Sequence, residues 1–91
     1  MIYEIQYSDE AKIDITKYKK SNPIAYKKIL RLIPELAEHP RVGTGHPEPL
    51  TKGNNIRYSR RISANNRIIY DIYDDAVFVF VVSVIGHYED K

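Results

Sequence analysis

The chain has 91 residues, 43% of them hydrophobic, and a formal net charge of +2. That size implies one domain, residues 1–91, with a modest core, and the apolar content is too high for a disordered segment. The absence of cysteine excludes disulfides, thiolate catalysis and Cys-type zinc sites. There is no signal-peptide pattern and no apolar run near the ~20 residues that span a bilayer, so a soluble, cytoplasmic protein with no membrane partner is expected.

"MIYEIQY" alternates short runs of β-branched and aromatic residues and predicts a first strand. Ser8, followed by Asp9 and Glu10, is a helix start with a capping hydroxyl and acids in the first turn. Ala11, Ile15 and Tyr18 then share one face. "SNP" at 21–23 ends this helix and opens another, with Asn22 as cap and Pro23 at the first helical position. Tyr26, Ile29, Leu30, Ile33, Leu36 and Ala37 form its apolar stripe, leaving Lys27, Lys28 and Arg31 toward solvent. An interior proline costs roughly 3 kcal/mol, so Pro34 predicts a kink or early termination. Pro40 closes the element, and "RVGTGHPEPLTKGNN" reads as loop.

From Ile56 the period changes to two. "IRYSRRIS", "RIIYDIY" and "VFVFVVSVIGHY" read as strands, separated by turns at "ANN" and "DDA". The last is apolar on both faces and predicts a central strand covered on both sides. The order β-α-α-β-β-β implies an α+β domain, two N-terminal helices packed on one face of an antiparallel sheet. Tyr3, Tyr7, Tyr18, Tyr26 and Tyr70 are expected in packing roles.

Charge is unevenly spread. Residues 1–40 sum to +1, residues 41–70 to +5 and residues 71–91 to −4. Arg41, Lys52, Arg57, Arg60, Arg61 and Arg67 make up the basic segment, and Glu48, between Pro47 and Pro49, is its single acid. Such a concentration is the footprint of a phosphate-bearing partner, or simply a solvated sheet face. Side chains two apart in a strand share a face. If the "DDA" connection has an odd number of residues, Arg67 and His87 project together; under the opposite parity Tyr88 takes the place of His87. Arg61 joins Arg67 across the "ANN" turn. One acid, several arginines and a histidine on one face suit RNA self-cleavage without a metal or other cofactor. A base takes the 2′-hydroxyl proton, an acid protonates the departing 5′-oxygen, and cations hold the phosphorane charge. Glu48, His87 and Arg67 fit those roles in turn. His39 and His46 lack metal-site companions and are left structural.

At these residues the sequence resembles the YoeB/Txe toxins of the RelE superfamily. "GTGHPEPL", "YSRRIS", "NRIIYDIYDD" and "GHY" carry the likeness, in matching order and spacing over nearly the whole chain. The resemblance implies the compact RelE-like microbial-ribonuclease fold and an endoribonuclease that cuts mRNA in the ribosomal A site. Its partners would be the ribosome and mRNA, a cognate antitoxin, and operator DNA only through the antitoxin complex; a homodimer is left open. By the same likeness Glu48, Arg67, His87 and Tyr88 match catalytic positions, with Tyr88 open between catalysis and packing. Arg60 and Arg61 match an RNA-facing pair, and Lys52 is placed with them. "NNIRY" leaves Tyr58 as the one aromatic leading into "SRRI", and "EDK" extends beyond Tyr88. Two other classes stay open: a gyrase-directed binding toxin, and a subunit that only binds antitoxin and operator.

Overall fold

A computed structural model describes residues 2–50 and 56–86. The elements run β1 (Glu4–Tyr7), α1 (Asp9–Ser21), α2 (Pro23–Glu38), β2 (Glu48–Pro49), β3 (Arg57–Ser63), β4 (Asn66–Tyr73) and β5 (Phe78–Gly86). Both helix starts form as the sequence predicts. Ser8 Oγ accepts the Ala11 N–H at 2.9 Å, and Asn22 Oδ1 accepts the Ala25 N–H at 3.2 Å. No helix among the described residues is long and apolar enough to cross a membrane.

Helix α2 departs from expectation twice. It continues past Pro34 to Glu38. The carbonyl that loses its donor to this proline belongs to Leu30, a half-exposed residue on the water side, where solvent can replace the bond. The buried stripe is Ala25, Ile29, Leu32 and Leu36, so Leu30 is not part of it. These residues and Ala11 pack on Tyr58, Ile62, Ile68, Tyr70, Ile72, Val79, Val81 and Val84 of the sheet. Each large apolar side chain fully buried there contributes roughly 1.5–3 kcal/mol. Tyr70 is fully buried, while Tyr3, Tyr7 and Tyr18 pack at the edge of this core.

The sheet has five strands in the order β1-β5-β4-β3-β2. It is antiparallel except for β1, which lies parallel to β5 at one edge, while the two helices carry the chain from β1 across to β2 at the other edge. Long crossovers are what parallel neighbours require. The helices pack on one face only, so the expected double cover of β5 is not found: Ile85 is 44% exposed. Strand β2 lies in the stretch expected to be loop. Glu48 pairs with Ser59 and Pro49 with Tyr58, at a sheet edge where a proline's missing N–H is tolerated.

The turn between β4 and β5 spans four residues, since Tyr73 pairs with Phe78. That even count sets odd positions against even ones. A bulge then intervenes, because Tyr70 pairs with Val81 but Ile69 with Ser83, leaving Val82 as the extra residue. Beyond it Arg67 faces Ile85, so odd again meets odd. Helix α1 supports the bulge: Ser8 Oγ donates to Val82 O, and Asp14 Oδ2 accepts the Val84 N–H at 3.1 Å.

Val77 ends the four-residue turn at φ 56, a left-handed conformation that costs a β-branched residue about 1–2 kcal/mol. Val77→Gly should therefore raise the thermal midpoint by about 2–5 °C. An unchanged or lowered midpoint in a calorimetric scan would show that side-chain packing outweighs this strain.

Candidate active site

The face of the sheet away from the helices is built in cross-strand rows. One row is Glu48, Ser59, Ile69 and Ser83; the next holds Arg61, Arg67 and Ile85. Ser59 and Ser83 are small and buried, so the arginines and Glu48 stand above a low floor. Arg67 Nη1 reaches Glu48 Oε1 at 3.3 Å, across the strand that separates them. Glu48 keeps 60% of its side chain exposed and Arg67 31%, so both can be reached from solvent. A third row, toward the other end, pairs Arg57 with Asp71 through two hydrogen bonds of 2.8 and 3.0 Å.

Glu48 is delivered by a loop with severe local demands. Gly43 has φ +117, and a Cβ there would overlap Glu35 Oε2. Gly45 has φ +88, and a Cβ there would run into Arg61 O and Arg60 Cγ. Only glycine meets both the conformation and the space. The Gly45 carbonyl accepts the Arg61 N–H at 2.6 Å, which docks the loop directly on β3. Between α2, this loop and the β3–β4 turn runs a groove of about 590 Å³, bordered by Lys28, Arg31, Leu32, Thr44 and Arg61. Arg61 is thus shared by the groove and the Glu48–Arg67 site.

The arrangement has known relatives. The family model for the "YoeB-like toxin of bacterial type II toxin-antitoxin system" matches residues 7–88. This chain belongs to that family. "Toxin YoeB" of Escherichia coli K12 is 32% identical over 73 residues, 80% of this chain and 87% of the relative. The structure titled "The structure of YoeB dimer from Staphylococcus aureus" superposes with a TM-score of 0.80 at 26% identity, covering 97% of this chain and 100% of the other. A "YoeB-YefM complex from Staphylococcus aureus" gives a TM-score of 0.76 at 28% identity, with the same coverage. The α+β fold, two N-terminal helices on a mostly antiparallel five-stranded sheet, is therefore that of the RelE/YoeB-like toxins.

Within this YoeB-family toxin the predicted residues separate into groups. Glu48, Arg61 and Arg67 come together. His87, Tyr88 and Lys52 lie outside the described residues. Arg60 requires correction: it is fully buried and does not face RNA. Its Nη1 donates to Glu35 Oε2 at 2.9 Å, and Nη2 donates to His39 O at 2.8 Å and Val42 O at 2.9 Å. The guanidinium lies 5.9 Å from the centre of the Tyr70 ring. Strand alternation places Arg60 inward with Tyr58 and Ile62, and Arg61 outward. Tyr58 is buried against Tyr70, with ring centroids 6.2 Å apart, so it offers no stacking surface at the site. Glu35 was not singled out in the sequence, although it directly precedes the buried Leu36.

The basic segment is also less basic than its composition. Asp74 binds Arg41 at 3.0 and 2.9 Å and accepts from Tyr3 Oη at 2.7 Å. Those bonds, Arg41's first, hold the Asp74 carboxyl below its ordinary range. With Arg57 on Asp71 and Arg60 on Glu35, three of the arginines are matched by acids from elsewhere in the chain. Among the described residues of this segment, that leaves Arg61 and Arg67, the latter beside Glu48.

Two stability outcomes follow from the pairing of buried Arg60 with partly exposed Glu35. Arg60→Ala should cost about 3 kcal/mol or more in urea unfolding, against about 0.5 kcal/mol or less for Arg61→Ala. Similar costs for the two would contradict the assigned roles. Burial pushes the Glu35 carboxyl up, but the Thr44 N–H and hydroxyl and the Arg60 charge outweigh it, leaving it below its ordinary 4.5. A depressed native pKa adds stability that is complete above the unfolded value and disappears as pH falls through the native one. Between about pH 6 and about pH 3, Glu35→Gln should therefore lose less stability than the parent chain. Equal acid losses would refute a depressed carboxyl at this position.

Proposed function

We propose that this toxin is a ribosome-dependent mRNA endoribonuclease that cuts A-site message by acid–base attack of the 2′-hydroxyl. The observation that carries the reading is the juxtaposition of Glu48, Arg61 and Arg67 on one solvent-facing surface, with Nη1 of Arg67 3.3 Å from Glu48 Oε1. Glu48 accepts the 2′-hydroxyl proton, and the resulting oxygen attacks the adjacent phosphorus. Arg67 turns its guanidinium from the carboxylate to the phosphate oxygens and stabilises the charge of the phosphorane. His87 donates a proton to the departing 5′-oxygen, and the message is left with a cyclic phosphate and a 5′-hydroxyl. Tyr88 completes the set as a catalytic neighbour. Arg61 and Lys52 hold flanking phosphates.

Ribosome dependence follows from charge. Affinity for RNA grows with the number of phosphates neutralised, and ion pairs within the fold already occupy Arg41, Arg57 and Arg60. So small a field favours a message that something else holds in place. A cognate antitoxin would silence the toxin by covering the Arg61–Arg67 surface with an acidic segment, operator DNA being reached only through that complex. Pairing with a second copy is a further proposal, supported by the dimer that the Staphylococcus aureus relative forms.

Primer extension on translated and naked message tests the reading. Cleavage should be strong on the ribosome and weak on free RNA. Glu48→Ala, Arg67→Ala and His87→Ala should each lower it by roughly 10²-fold or more. Arg67→Lys should recover little, because an ammonium lacks the guanidinium fork. Growth arrest that persists unchanged in His87→Ala would instead identify a binding toxin.

A further inference from the structure

We infer that Arg60 and Glu35 are positioning residues for the Glu48 carboxylate, acting through the 39–47 segment wound around the buried guanidinium. The inference rests on the proposed role of Glu48 as base. It reassigns a residue that the motif groups with RNA contacts to a role inside the protein.

The segment is held at five points. Arg60 Nη2 binds the carbonyls of His39 and Val42, which fix its start and middle. Glu35 Oε2, itself bound by Arg60 Nη1, accepts the Thr44 N–H. Gly45 O closes on Arg61 N. Tyr70, under the guanidinium, adds a bond from its hydroxyl to Pro40 O at 2.7 Å. Two residues, His46 and Pro47, then separate Gly45 from Glu48. His46 is constrained at φ 51, and Pro47 has a fixed φ. Little slack is left before the carboxylate. A guanidinium is needed because one planar group must reach acceptors on a helix, its cap and a loop together; a lysine offers a point charge only.

The reach to Arg67 is sensitive to this path. A displacement near 1 Å in a catalytic group costs up to about 10²-fold in rate. Loss of one tether should cost less, on the order of 10-fold. Glu35→Gln keeps the size of the side chain and removes its charge. Gly45→Ala displaces the same segment by another route, since its Cβ meets Arg61 O and Arg60 Cγ.

The test is a double-mutant cycle on ribosome-bound message. Each of Glu35→Gln and Gly45→Ala is combined with Glu48→Ala, and folding is verified by urea unfolding. Each single variant should lower kcat about 10-fold with KM changed less than about twofold. In the Glu48→Ala background each should change the residual rate by less than about twofold. If Glu48→Ala lowers cleavage but the positioning variants are neutral, or multiply its effect, the inference is overturned and the acid–base reading stands. If Glu48→Ala leaves cleavage intact, that reading fails and takes the inference with it. Should one variant not fold, the other decides.

Discussion

A charged group with no access to water has to be satisfied entirely by the protein, and here that group is the guanidinium of Arg60. It brings together the end of α2, the following loop and β3 at one point. Burying it unpaired would cost several kcal/mol, so each acceptor it gains favours the native loop path over alternatives. Its Nε finds no hydrogen-bond partner among the described residues. The two left-handed glycines follow from the same demand. A chain that must pass so close to a carboxylate and to a neighbouring strand has no room for a side chain at 43 or 45.

Electrostatics at the sheet depend on pairings that cross the chain. The basic segment 41–70 and the acidic segment 71–91 look like opposite poles in the sequence. Folding lays part of one on the other, as Arg57 meets Asp71 and Arg41 meets Asp74. A count of charges along the sequence therefore overstates the field at the surface. What is left has a definite location, beside the one acid that its prolines and its loop hold in place.

The helices, their caps and the order of the elements were legible in the sequence, because capping hydroxyls and amides leave local marks at Ser8 and Asn22. The meeting of Arg61 with Arg67 was legible too, since two strands joined by a short turn have little freedom of register. The inward direction of Arg60 could be read from the alternation of Tyr58, Arg60 and Ile62, but likeness to a motif paired it with Arg61 as a surface residue. Leu30 and Leu32 exchanged places because they lie on opposite flanks of the Ile29–Leu36 line, and the apolar pattern alone does not say which flank meets the sheet. Strand β2 had no local signal. A Glu–Pro pair has little strand preference, and its pairing follows from where the loop docks. The bulge at Val82 was invisible for a related reason, since its partners are Ser8 and Asp14, some 70 residues away.

The bulge has a consequence for how such chains can diverge. Turn length and bulge together decide which side of β5 looks toward Arg67, and each reverses the effect of the other. If the β4–β5 register slips by one residue at the 74–77 turn, loss of the bulge returns Ile85 to its place opposite Arg67, whereas Val79 and Val81, between turn and bulge, still change sides. The first helix keeps the tally, because Ser8 and Asp14 recognise the backbone only where the extra residue stands.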